Sequence, residues 1–228
     1  MKRRPSYLQG VFGSLRQKLS TSWANRSAAR MVDFALVKTG WLPERLDGSG
    51  KLLHISDTPT AIYPYIARLL RRVNPSVVVH TGDLADDIKL EMYPEEAERY
   101  ARFMRRLLNV LAAPHRTVYL TIGNHDRADL LPPLPPRCHI CEDVAEISFR
   151  GVHFRLSHYL ERLAGSPAKF NLFGHAWEDE SYSDGDGRYF LNGVEVMRLI
   201  DPASEEIEFL RYPSGTENAR HLRRRCGR

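Results

Sequence analysis

Three short apolar runs, each closed by a turn and a polar side chain, constrain this chain more than any other feature. Residues 51–56 are closed by Asp57, the β-branched residues 76–81 by Gly82-Asp83, and residues 117–122 by Gly123-Asn124. Runs this short, bounded by turn residues, read as buried strands. Helical patterns separate them. One covers residues 62–72. The other covers 94–112, with Pro94 in its first turn, Glu95 and Glu96 next, and Tyr100, Phe103, Met104, Leu107, Leu108 and Leu111 on one face. Strand–helix alternation of this kind predicts an α/β fold with a parallel layer covered by helices.

The character changes after the proline-rich loop at 132–136. Residues 145–150 and 152–157 flank Gly151 like a hairpin, and residues 170–173 run into Gly174-His175. Residues 188–192, 195–200 and 206–211 are strand-like and separated by Asn-Gly and Asp-Pro-Ala turns. The second half therefore reads as mostly antiparallel strands, and no repeat of fixed period is present.

At 228 residues and 43% hydrophobic, the chain can bury one sizeable core. Three cysteines do not make a disulfide framework and point to a reducing, cytoplasmic setting. Cys138 and Cys141 form a lone C-x-x-C that lacks the partners of a zinc or redox site. No apolar run reaches the roughly 20 residues needed to span a bilayer, and none near the start reads as a secretory signal.

The net charge of +5 is unevenly spread. Residues 1–30 carry seven Lys/Arg and no acid, residues 212–228 carry five Arg and one Glu, and residues 31–211 are net acidic. The basic ends, not a protein-wide face, set the basic balance, so nucleic-acid binding is weakly supported. Leu8, Phe12, Leu15, Leu19 and Trp23 recur at the helical period among Arg and Ser. Such a helix fits docking onto the body, contact with a membrane surface or partner protein, or an organellar transit segment. A second helix is expected at 31–42, ended by Gly40, with a linker at Asp47-Gly48-Ser49-Gly50. The expected organisation is a basic helical extension at 1–50, a central domain at 51–211 and a basic tail at 212–228.

The polar residues that close the strands carry the chemistry. Ligands in α/β folds sit beyond the carboxyl ends of the strands, so Asp57, Asp83 and Asn124-His125-Asp126 should converge. One Asp after a strand often only caps the next helix. Three in order, followed by Ser157-His158 and Gly174-His175, exceed what capping explains. Mixed oxygen and imidazole donors suit Mn, Fe, Zn or Ni better than Ca.

This order resembles the calcineurin-like metallophosphoesterases, whose pattern runs D-x-H, G-D, G-N-H-D/E, H and G-H-x-H. The matching stretches are Asp57-Thr58-Pro59, Gly82-Asp83, Gly123-Asn124-His125-Asp126, His158 and Gly174-His175-Ala176-Trp177. The resemblance implies a four-layer α-β-β-α sandwich with a parallel-rich first half and an antiparallel second half. It implies one or two divalent ions and hydrolysis of a phosphodiester or activated monoester by hydroxide generated at the metal. By the same resemblance Asp83, Asn124, His158 and His175 hold one ion, and Asp57 with a share of Asp83 holds the other. His125 acts beside the substrate phosphate, with Asp57 as a second catalytic group, and Arg127 is a substrate-binding candidate.

Pro59 and Trp177 replace two histidines that in the family bind the same ion as the first Asp. Proline cannot ligate and an indole N–H only donates. Three outcomes stay open: a one-metal enzyme, a second ion rescued by Glu178, Asp179, Asp86 or Asp87, or a protein-binding module without activity. A nuclease using the basic ends is a further alternative. His54 and His80 stand at odd offsets from Asp57 and Asp83, so on strands they point to the other face and read as core histidines. His153 reads as structural, and His115, His139 and His221 carry no pattern.

Overall fold

A computed structural model describes residues 46–220. The expected helices in 1–30 and 31–42, and the arginine-rich residues 221–228, lie outside the described residues. The chain forms a mixed α/β fold of two sheets flanked by helices. The first sheet has the order β11-β10-β1-β2-β3-β4, built from β1 (Leu52–Ile55), β2 (Val77–His80), β3 (Thr117–Thr121), β4 (Cys138–Cys141), β10 (Met197–Ile200) and β11 (Ile207–Leu210). The second has the order β5-β6-β7-β9-β8, from β5 (Val144–Phe149), β6 (Val152–Ser157), β7 (Phe170–Phe173), β8 (Tyr182–Ser183) and β9 (Tyr189–Asn192).

Strands β1 to β4 run parallel, as the alternation predicts. Their registry sets Ile55 beside His80 and His80 beside Leu120, so the three strands end level and release their closing residues at one edge. Helices α1 (Tyr63–Val73) and α2 (Ala97–Leu111) connect them. Pro64 fits the first turn of α1, where no amide partner is needed. Asn74 ends it in the left-handed conformation, its amide donating to the Leu70 carbonyl at 3.0 Å. Ile66, Leu69, Leu70, Tyr100, Met104, Leu107 and Leu111 pack against Leu53, Ile55, Val78, Val118 and Leu120 on one face of the first sheet.

The opposite face of that sheet turns Leu52, Val77, Val79 and Ile200 onto Phe154, Leu156, Phe170, Leu172 and Leu191 of the second sheet. Period-2 alternation thus divides each strand between two cores. The Phe154 and Phe170 rings stack at 5.0 Å within this layer. On the far face of the second sheet, Phe173 and Phe190 are covered among the described residues by the 3-10 turn Leu160–Leu163.

The second half is antiparallel at β5–β6, β8–β9, β10–β11 and β10–β1. It departs from that expectation at β6–β7 and β7–β9, which run parallel. The chain crosses over between those strands instead of turning back, a choice that local turn chemistry does not reveal. The β5–β6 hairpin turns through Arg150 and Gly151, both at positive φ, which matches the twist of the flanking strands. Strand β4 was not expected. It carries Cys138 and Cys141, both free and three residues apart, so their side chains leave opposite faces and cannot act together.

Residues 212–220 pack against the loops that follow the strands. Arg220 is 1% exposed and donates to the carbonyls of Asp57, Val194 and Ser56, while the Tyr212 hydroxyl lies between the carbonyls of Ser56 and Gly193, at 3.0 and 2.9 Å. This stretch belongs to the body. Charge counting cannot single out one buried arginine within an arginine-rich stretch.

Both strand histidines are fully buried, consistent with their odd offsets. Thr58 Oγ1 donates to the Leu84 carbonyl, so His80 Nε2–H donates to Thr58 Oγ1 at 2.8 Å and Nδ1 has no partner. Burial pushes the His80 imidazole down to about 3. A lowered folded-state value favours the folded chain above about pH 6.5, and the contribution is lost as pH falls toward 3. Between pH 6.5 and 4.5 the wild type should lose on the order of 2 kcal/mol that a His80→Gln chain does not lose. Urea unfolding of both chains at the two pH values reads this difference. Equal pH slopes would refute it.

Candidate metal centre

The site is assembled where loops after five strands meet. Asp57 and Thr58 donate their amides to the carbonyls of Gly82 and Asp83 at 3.0 and 3.1 Å, zipping together the loops after β1 and β2. Gly174 donates its amide to the His158 carbonyl at 3.1 Å, which does the same after β6 and β7. The glycines before the candidate ligands allow close approach. A Cβ on Gly82 would stand 2.5 Å from His158 Nδ1, and one on Gly174 2.5 Å from Asp57 Oδ2. A Cβ on Gly123 would collide with Asp83 Oδ1 and lie 2.6 Å from the Asp83 amide nitrogen. Asp57, Asp83 and His175 all have positive φ, of 50°, 53° and 69°. Backbone strain of this kind is held in place only where surrounding contacts over-determine it.

Four acceptor atoms converge. His158 Nδ1 donates to the Thr81 carbonyl at 2.7 Å, which leaves Nε2 as the lone-pair nitrogen. That Nε2 lies 3.2 Å from Asn124 Oδ1, 3.2 Å from His175 Nδ1 and 3.6 Å from Asp83 Oδ2. His175 Nδ1 is 3.1 Å from Asn124 Oδ1. Glu91 accepts from Asn124 Nδ2 at 2.6 Å and so turns Oδ1 toward the imidazoles. A single proton on His175 cannot satisfy lone pairs facing one another from three sides. A cation can, and the donor set fits a divalent transition ion.

The charges agree with that fit. Burial, and then the nearby charge of Asp57, holds the Asp83 carboxyl well above the usual carboxylate range. Burial, opposed by Lys89, likewise raises Asp86 to about 7, with Asp57 adding to the rise. Burial and the neighbouring His158 push the His175 imidazole down. A pocket that penalises its own anions and lowers the His175 imidazole is complementary to added positive charge.

The remaining candidates take different places. Asp57 is 3% exposed and accepts Ser56 Oγ at 2.5 Å and the His175 amide at 3.2 Å through Oδ2. His125 donates its amide to Asp83 Oδ1 at 3.0 Å, and its ring lies beside the Asn124 amide with Nδ1 3.5 Å from Glu91 Oε2. Burial, and then the Lys89 charge, lowers the His125 imidazole to about 4. Asp126 does not reach His125. Its carboxylate accepts the Leu84 and Gly123 amides and the Tyr100 hydroxyl, each at 2.9 Å, tying two loops to α2. Arg127 pairs with exposed Asp129 at the surface.

Pro59 precedes the 3-10 turn Thr60–Ile62 and contributes no donor. Trp177 is 46% exposed and lines a groove of about 440 Å³ with Val196, Phe209, Tyr212 and Arg220. Of the four possible rescuing acids, Asp87 caps Thr60 through its amide and hydroxyl, at 2.6 and 2.8 Å. Glu178 and Asp179 lie outside both groups of convergent ligand atoms, whereas Asp86 joins Asp83 and His125 in one of them.

The sequence profile of the calcineurin-like phosphoesterases matches residues 50–217, and the chain belongs to that family. No curated protein matches it in sequence. Among solved structures it is similar to YfcE, a phosphoesterase from E. coli, with 16% identity and a TM-score of 0.42. That match covers 69% of this chain and 96% of YfcE. Another solved structure matches with 11% identity and a TM-score of 0.48, covering 71% of this chain and 98% of the other.

Sequence reading missed Lys89, Glu91 and Arg220, which stand in loops without a period or a motif. Tyr159 was also missed, although it directly follows His158. Its ring meets His158 and His175 edge-on, both at 4.8 Å.

Gly123→Ala should displace Asp83 and lower Mn²⁺ affinity at least tenfold while leaving the circular dichroism spectrum folded. Isothermal titration of the two chains measures it. Unchanged affinity would show that the close approach at Gly123 is not needed.

Proposed function

We propose that the protein hydrolyses a phosphate ester, either a phosphodiester or an activated monoester, with a divalent ion held by Asp83, Asn124, His158 and His175. The observation that carries this reading is the convergence of Asn124 Oδ1, His158 Nε2 and His175 Nδ1 within 3.2 Å of one another, beside Asp83 Oδ2. Mn, Fe, Zn and Ni all suit these donors. When bound, such an ion supplies Lewis acidity, which acidifies water and polarises a phosphoryl oxygen.

The chain's own groups supply the rest. His125, neutral at neutral pH, donates one ring N–H toward a phosphoryl or leaving-group oxygen, which stabilises developing charge without a counter-charge to desolvate. Glu91 accepts from the Asn124 amide and lies beside His125, so it positions both. Asp57 anchors His175 through the backbone and offers a carboxylate to accept a proton from an attacking water. The Tyr159 ring packs edge-on against the two imidazoles, of which His158 is buried and His175 exposed. Arg127 could meet substrate only by leaving Asp129, which gives it the weakest support of the candidates.

Among the described residues no helix is long and apolar enough to cross a membrane. Contact of the basic 1–30 segment with a membrane surface or partner rests on its charge and periodicity, and a cytoplasmic location on the cysteine count.

Turnover of an aryl phosphodiester and an aryl monoester in Mn²⁺ tests the activity. Asn124→Ala and His175→Ala should each lower metal-dependent turnover at least a hundredfold with unchanged thermal unfolding. His125→Ala should lower turnover and keep its metal content. Full activity in Asn124→Ala would sink the assignment. Absence of turnover with all four metals, together with specific capture of a partner protein, would favour the non-catalytic module.

A further inference from the structure

Two groups of potential ligand atoms share Asp83. Asp83, His158 and His175 form one, and Asp83, Asp86 and His125 form the other, each with its atoms within 4.8 Å of one another. The first has no cationic side chain in it. The second has Lys89, whose ammonium contacts Asp86 Oδ1 directly. The Lys89 side chain is 13% exposed and that of Asp86 3%, so this pair is largely desolvated and is not a loose surface contact. We infer that the centre takes a single divalent ion, on the Asn124–His158–His175 side of Asp83, and that Lys89 provides the positive charge on the other side and closes it to a second ion. The inference rests on the metal reading proposed above.

Local architecture holds the lysine there. Asp86 donates its amide to the Thr58 carbonyl at 3.2 Å, so the stretch bearing Asp86 and Lys89 is tied to the loop that follows Asp57. Lys89 in turn accepts the Met92 and Tyr93 amides on its carbonyl, at 2.9 and 2.8 Å, which fixes its backbone. Asp57, Asp83 and Asp86 are all 3% exposed or less, and Lys89 is the cation that touches this group of carboxylates directly. A second divalent ion on the Asp86 side would have to enter against that ammonium, and a low-dielectric site strengthens the repulsion. Pro59 and exposed Trp177 bring no donor that could offset it.

The test counts ions. The full chain, stripped with a chelator and dialysed against excess Mn²⁺, should retain one Mn²⁺ per chain by elemental analysis. Its paramagnetic resonance spectrum should be that of an isolated ion. Lys89→Met, which keeps the stem and removes the charge, should retain two ions and show exchange coupling between them, while Lys89→Arg should remain at one. Two coupled ions in the wild type would overturn the inference, as would one ion in a folded Lys89→Met chain. The wild-type count stands by itself if Lys89→Met does not fold. A wild type that retains no ion would instead remove the metal reading on which the inference rests.

Discussion

Burying Asp83 is the constraint on which the rest of this centre depends. Its carboxylate lies 3% exposed at the end of β2, accepts the His125 amide and faces His158. Asp57 and Asp86 are buried nearby, and an uncompensated cluster of this kind is expensive in a low-dielectric interior. The fold answers with a desolvated lysine and a set of imidazole and amide lone pairs suited to a cation. Each answer comes from a different loop, so the site exists only when all the strand ends are aligned.

Alignment comes from the two apolar layers. Leu53, Val78 and Leu120 hold three parallel strands level against α1 and α2, while Val77 and Val79 pin the same strands to Phe154 and Leu172. Sliding either sheet by one residue would exchange the faces of every strand and scatter the ligands. Strain at Asp57, Asp83 and His175 is tolerable because these layers and the loop hydrogen bonds leave the backbone no alternative. Arg220, just after the one-turn helix Thr216–Ala219, reaches back to the Asp57 and Ser56 carbonyls and completes that restraint.

Much of this was legible beforehand. The first three strands and both long helices announce themselves through apolar runs and the 3.6-residue period, signals that survive without tertiary context. The residues brought together were legible for the same reason: each closes a strand, and strand ends of a parallel sheet share an edge. Illegible were β4, disguised as a proline-flanked C-x-x-C, and the parallel pairing of β6, β7 and β9. Both depend on which neighbour a strand finds, and not on its own residues. A carboxylate that follows a histidine, as Asp126 does, can orient the ring or anchor a loop. Only the positions of Leu84, Gly123 and Tyr100 decide for anchoring.

What the sequence by itself determined is the first three strands and the two long helices, the family, and the residues that close the strands, because local pattern and motif spacing carry that information. What only the tertiary structure decided is who neutralises whom. Glu91 beside Asn124, Lys89 against Asp86 and Arg220 beneath Asp57 are partnerships across loops, set by distance and desolvation in three dimensions. Coulombic and hydrogen-bond energies depend on separation in space, and no spacing along the chain encodes it.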